Sequence, residues 1–198
     1  MNNENAVIKL IKLKRYLDIS KIRKVPLAIS IIIIVLGSLL RGLLVMTLVG
    51  PGYYPDNMQL LKALMTSVTP ITFEKALQAA IFMGLLMIMK KSQKTNIREL
   101  INVIALSSLP RVISGLFFTI IGCLFFGFRF DMVYHYESHT LLQTGYSVIY
   151  SFVIFLSGLW SLWLLSYYNS KLIDESYVKT FVMTLIAIFG AFYMRYTF

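Results

Sequence analysis

Apolar residues run along the chain in long blocks, and the breaks between the blocks are short and mostly charged. Five spans follow from that pattern. The first, roughly 26–49, opens LAISIIIIVLGSLL and continues past Arg41 and Gly42; the second, about 72–89, is ALQAAIFMGLLMIM preceded by FEK. The third contains LINVIALSSLPRVISGLFFTIIGCLFFGF, 29 residues, more than one upright crossing needs, so its early part reads as continuous with the span or as a separate, tilted or interfacial helix. The fourth is LLQTGYSVIYSFVIFLSGLWSLWLL and the fifth is TFVMTLIAIFGAFYM. With a rise of about 1.5 Å per residue against about 30 Å of hydrocarbon, the fifth needs Tyr177 and Val178 at one end and Tyr196 at the other to complete the crossing. The expected fold is an all-α integral membrane protein, a compact bundle of about five transmembrane helices. Residues 1–24 form a basic tail or an interfacial helix, and 25–198 form the membrane domain.

Composition agrees with this solvent: 58% of the 198 residues are hydrophobic and 14% are charged, which leaves no room for a soluble domain beside the spans. The net charge of +10 would suit nucleic acid, but seven of the 19 Lys and Arg precede Val25 and four more lie between Lys90 and Arg98. That placement carries topology and attraction to anionic headgroups, not nucleic-acid binding. The tail and the loops 90–99 and 169–179 hold 13 Lys and Arg, whereas PGYYPDN and RFDMVYHYESH hold one. The positive-inside rule then puts the N-terminus in the cytoplasm and the C-terminus outside. The first span reads as a retained signal anchor. In the tail, Ala6, Leu10, Leu13 and Leu17 share one rough helical face with basic residues around the rest, a modest amphipathic signal.

Polar residues within the spans carry most of the functional information. Arg41, Arg111, Glu74 and Lys75 sit where a charge must find a partner, water or the headgroup region. Two readings stay open: snorkelling plus one internal ion pair, with Glu74 as the acid, or a polar site inside the bundle. Pro110 has no N–H to offer the Leu106 carbonyl, so a kink is expected, with Ser107, Ser108, Ser114 or water serving the freed acceptors and Arg111 approaching the opening. Gly115, Thr119 and Cys123 recur at intervals of four beside Gly122, and Ser147 and Ser151 repeat the spacing in the fourth span. Small side chains at that spacing let helices approach closely in lipid. Cys123 stands alone, which excludes an intrachain disulfide.

The residues offer little for catalysis. His135 and His139 in YHYESH would share a helical face, but two imidazoles are only part of a metal site, and the competing reading is an outer loop with Tyr134, Tyr136 and Tyr146 in an aromatic belt. No phosphate-binding glycine loop or Ser-His-Asp set is present, so the expectation is a protein that is not an enzyme and uses no cofactor.

RELINVIALSSLPRVIS, residues 98–114, resembles the segment of bacterial Yip1-domain membrane proteins in which a polar linker, an acid, an apolar helix and an aliphatic-Pro pair lead into the third membrane region. YSVIYSFVIFLSGLWSLWLLSYYNSKLIDESYVKTFV is similar to that family's fourth helix, short cytoplasmic link and fifth helix. The likeness runs over roughly residues 10–195. The aspartate-tyrosine-glycine-proline signature of eukaryotic members is absent, with only Gly50 to Tyr53 near it. The resemblance implies a noncatalytic accessory or interaction protein of the bacterial cytoplasmic membrane, in some members linked to ABC-type export, envelope stress or antimicrobial-peptide resistance. Its partners would be membrane lipids, ABC transporter subunits or further copies of itself. A transporter or substrate-binding membrane component is the alternative, and a coherent polar route through several spans would mark it.

Overall fold

The computed structural model describes residues 19–49, 57–126 and 141–197, with side chains described over most of these segments. All regular structure among them is helical: α1 (Ile19–Lys24), α2 (Leu27–Val49), α3 (Asn57–Ile88), α4 (Ile97–Phe126), α5 (Leu141–Ile173) and α6 (Tyr177–Thr197), with one 3₁₀ turn at Ser92–Lys94. Four stretches are long and apolar enough to cross a membrane: Val68–Ile88, Ile97–Gly122, Val148–Ile173 and Tyr177–Arg195. Helix α2 is 23 residues long, and its described apolar part is Leu27–Leu40.

Local sequence explains where the helices begin and end. Pro26 precedes α2, where its missing N–H costs nothing. Helix α4 opens on a capping box: Asn96 Oδ1 accepts the Glu99 N–H at 2.9 Å, and Glu99 Oε2 accepts the Asn96 N–H at 3.4 Å. Helices α3 and α5 stop in the same way. Lys90 and Asp174 adopt left-handed φ of 57° and 54°, and the next residues donate back to the helix, Lys91 N–H to Leu86 O at 2.8 Å and Glu175 N–H to Ser170 O at 3.0 Å. These are Schellman turns made without glycine. Lys91 and Glu175, the residues that close the two turns, form an ion pair with each other. Lys94 pairs with Asp174 at 3.7 Å, so the two connections are joined at one end of the bundle, where α1 also lies.

Three boundaries differ from the sequence expectation, the simplest being that α5 runs eight residues past Leu165 to Ile173, so most of the expected 169–179 loop is helical. Helix α3 begins at Asn57, not near Thr72, and runs 32 residues through Pro70. The polar residues Lys62, Thr66, Ser67 and Thr69 hid its first half, because a helix that projects past hydrocarbon has no need to be apolar there. The third block is a single 30-residue helix with Pro110 inside it, not a span with a separate leading helix. At about 45 Å it exceeds the thickness of the hydrocarbon. Helix α6 includes Tyr177, Val178 and Tyr196, as the short fifth block required.

The core gathers Ile22 of α1, Ala79, Phe82 and Leu86 of α3, Leu100, Val103 and Ile104 of α4, Leu165, Tyr168 and Leu172 of α5, and Met183 and Ala187 of α6. Helix α4 touches α1, α2, α3 and α5. Ile22 is buried, so α1 docks into the bundle end instead of merely resting on a surface. The tail residues Ala6, Leu10, Leu13 and Leu17 lie outside the described residues. Isoleucine, phenylalanine, leucine and tryptophan side chains cover the outward faces, among them Ile32, Ile113, Leu124, Phe152 and Trp160. A surface of that kind matches lipid and not water.

Candidate polar sites within the helix bundle

At the bundle end that carries the basic loops, Asn102 of α4 is wholly buried. Its Oδ1 accepts the Ser30 hydroxyl of α2 at 2.7 Å, while its Nδ2 donates to Ile22 O at 3.1 Å and Val25 O at 3.0 Å. Those two carbonyls belong to the end of α1 and the turn after it, where a helix leaves acceptors unserved. One amide therefore ties α1, the α1–α2 turn and α2 to α4. Around it Arg23 pairs with Glu99 at 3.2 Å, and Glu99 also accepts from the Thr95 hydroxyl at 2.8 Å. Arg98 reaches Val25 O at 3.4 Å.

Towards the opposite end of the bundle, Glu74 of α3 pairs with Arg195 of α6 at 2.7 Å, with both side chains largely buried at 13% and 19% exposure. Glu74 lies fourteen residues before Ile88, about 21 Å along the helix from the loop end, and Arg195 is the last residue of the apolar stretch Tyr177–Arg195. Largely buried charges need a partner, and this one joins α3 to α6. Lys75, the next residue, donates to Gln78 Oε1 at 3.2 Å, and Gln78 is buried beside Asn169 of α5 and Thr184 of α6.

The third group surrounds Arg111 of α4. Its guanidinium lies along Gly158 of α5, so close that a Cβ at 158 would fall 2.6 Å from Nη2. One turn away Ser114 and Ser157 share a 2.7 Å hydrogen bond between the same helices, and the Ser157 hydroxyl also serves Val153 O at 2.7 Å. Small residues admit the approach, as expected for helices in lipid.

The expected site residues divide among these groups. Glu74, Lys75 and Ser114 make contacts inside the bundle, whereas Arg111 is exposed and lays its guanidinium against Gly158 at the outer edge of the α4–α5 contact. Arg41 belongs to α2, but its side chain lies outside the described residues. The serines do not serve the carbonyl freed by Pro110: Ser107 donates to Ile104 O at 3.0 Å and Ser108 to Ala105 O at 2.7 Å, each three residues back. That distance is the natural reach of a serine in a helix, so neither gets to Leu106 O. Gly115 and Thr119 are buried, with the Thr119 hydroxyl on Gly115 O at 2.8 Å. A Cβ on Gly122 would meet the Tyr146 hydroxyl at 2.9 Å, and Tyr146 donates to Phe118 O, so this tyrosine works between α4 and α5 and not in a belt alone. Ser151 faces outward, which removes it from helix packing; Ser157 and Gly158 hold that place because α5 turns their face to α4. The side chains of Cys123 and Ser147, and residues Tyr134, His135, Tyr136 and His139, are outside the described set.

Reasoning from charge missed four groups. Arg195 sat at the chain end, where a cation ordinarily signals a headgroup. Asn102, Gln78 and Gly158 carry no charge to attract notice. A polar residue within an apolar helical block was the available signal for Asn102 and Gln78.

No family model, curated protein or solved structure matches the chain, and the likeness to bacterial Yip1-domain proteins stands on the quoted stretches.

Proposed function

We propose that the chain is a noncatalytic accessory protein of the bacterial cytoplasmic membrane. In this reading it is a five-span bundle with a cytoplasmic N-terminus and an external C-terminus, and it acts by lateral contact with another membrane protein. The observation that carries it is the Glu74–Arg195 pair: the acid within the spans is engaged by a base of the same bundle, which makes the charge a structural contact. The outward face of α5 supports it, since Phe152, Phe155, Leu159, Trp160 and Trp163 offer large side chains to whatever shares the bilayer. The Yip1-domain likeness suggests an ABC-type export complex as the partner class, with envelope stress or antimicrobial-peptide resistance as the setting. Basic residues at the loop end, among them Lys24, Lys90, Lys94 and Arg98, suit anionic headgroups.

A transporter or substrate-binding component is the second reading. It is favoured by the approach of Lys75, Gln78, Asn169 and Thr184 from three helices, a start on a polar route. Mild detergent extraction of the tagged chain separates the two. Retention of an ATPase subunit supports the accessory role, whereas a chain that elutes alone and moves solute across reconstituted vesicles supports transport. Topology has its own test: with Cys123 replaced, a cysteine at Tyr54 should label from outside intact cells and one at Ser92 should not. Reversed labelling would overturn the orientation.

A further inference from the structure

Arg111 is exposed although it lies well inside α4. It stands fourteen residues from one end and eleven from the other of the apolar stretch Ile97–Gly122, so the nearer end is about 16 Å away. No other charged residue occurs in 100–126 or 141–170. Outward-facing neighbours along α4 and α5 are apolar: Ile113, Leu116, Leu159 and Trp160 are each at least 45% exposed.

The direction of the side chain argues against a headgroup at the loop end. Ser114 and Ser157 are hydrogen-bonded and so lie level, and Gly158, against which the guanidinium rests, is the neighbour of Ser157. The side chain therefore crosses the α4–α5 seam, whereas a snorkelling arginine would run back along α4 to the loop end. A guanidinium carries five N–H donors in a planar fork, so it keeps its contacts in the bundle and presents donors on its exposed side as well.

A cation at that depth calls for an anion. A second copy of the chain does not supply one from the described residues: Glu74 is held by Arg195, and Glu99, Asp174 and Glu175 lie at the loop end. We propose that the Arg111 edge of the α4–α5 seam is a docking site for a transmembrane helix of a different membrane protein, whose Asp or Glu carboxylate meets the guanidinium within the bilayer. The proposal rests on the lateral-contact reading above and adds the chemistry of the partner.

Single-span peptides of leucine and alanine, with Glu or Gln at the centre and a dansyl acceptor, test it against the parent chain in phosphatidylcholine vesicles. The only two tryptophans, Trp160 and Trp163, lie on α5 within two turns of Gly158 and serve as energy-transfer donors. The Glu peptide should associate about tenfold more tightly than the Gln peptide, a comparison that needs no variant. Arg111→Gln should remove that preference and Arg111→Lys should keep part of it, since charge survives without the fork. Equal association of both peptides with the parent overturns the proposal, and so does a Glu preference that survives in Arg111→Gln. If dansyl-labelled phosphatidylglycerol gathers at the tryptophans through Arg111 while the Glu peptide shows no preference, the anion is a lipid headgroup and the proposal falls. Retention of an ATPase subunit is read separately: no Glu preference with retention fails this site alone, whereas a preference without retention keeps the site and removes that partner.

Discussion

The two ends of this bundle use polar residues differently. At the loop end, Asn102 fills its acceptor and both its donors, the capping box closes α4, and ion pairs link the two connections. Towards the opposite end, a single ion pair, Glu74–Arg195, joins α3 to α6. A connected network shares its load among several contacts, whereas an isolated buried pair depends on both of its members. The contrast places the lock of the fold at the loop end and a lone charged clasp at the other.

The largest expected effect comes from truncating the Glu74–Arg195 pair. Arg195→Leu leaves Glu74 buried without its cation and should cost about 3–5 kcal/mol in a reversible SDS unfolding titration. A loss below about 1 kcal/mol would mean that this end of the bundle tolerates a bare carboxylate. Asn102→Ala comes next: it strands the Ser30 hydroxyl and two carbonyls at the loop end, and a loss of about 2–3 kcal/mol is expected by the same titration. If Asn102→Ala were neutral, the loop end would not be the lock. A pair of glycine substitutions gives a smaller and two-signed result. A Cβ at Gly37 would meet Val112 Cγ2 at 2.9 Å, in the close approach of α2 to α4, whereas one at Gly84 meets nothing within 4 Å. Gly37→Ala should lose about 1–2 kcal/mol through crowding, and Gly84→Ala should gain up to about 1 kcal/mol through helix propensity. Equal shifts in thermal midpoint would deny the α2–α4 contact. The smallest effect is at the α3 turn. Lys90 is exposed and left-handed, so Lys90→Gly should stabilise by about 0.5–1 kcal/mol, and a destabilised variant would show that the turn carries no strain for glycine to relieve.

Much of the helical plan was legible because hydrocarbon imposes length and apolarity, and the blocks that became α4, α5 and α6 show both. Helix α3 was only half legible, since its first residues answer to no such constraint. The α4 cap could be read from Asn96 and Glu99, three residues apart, whereas the ends of α3 and α5 could not be read because Lys90 and Asp174 stand where glycine usually signals the turn. Within the site, Glu74 was visible as an acid in an apolar run. Its partner was not, because Arg195 is 121 positions away along the chain and only the α3–α6 contact brings them together. The same holds for Asn102 with Ser30 and for Arg111 with Gly158: each half is in the sequence, but the pairing belongs to the fold.

Charge reversal of the Glu74–Arg195 pair tests most directly whether the charges on these helices are contacts of the bundle. Glu74→Arg and Arg195→Glu should each sharply lower the yield of folded, monodisperse protein from membranes, since each places like charges together within the spans. Combined, they restore opposite charges across α3 and α6, and the double variant should recover a large part of the parent's yield and unfolding midpoint. If the single variants fold as the parent does, or if the double variant is no better than the worse single, Glu74 and Arg195 do not hold the helices together.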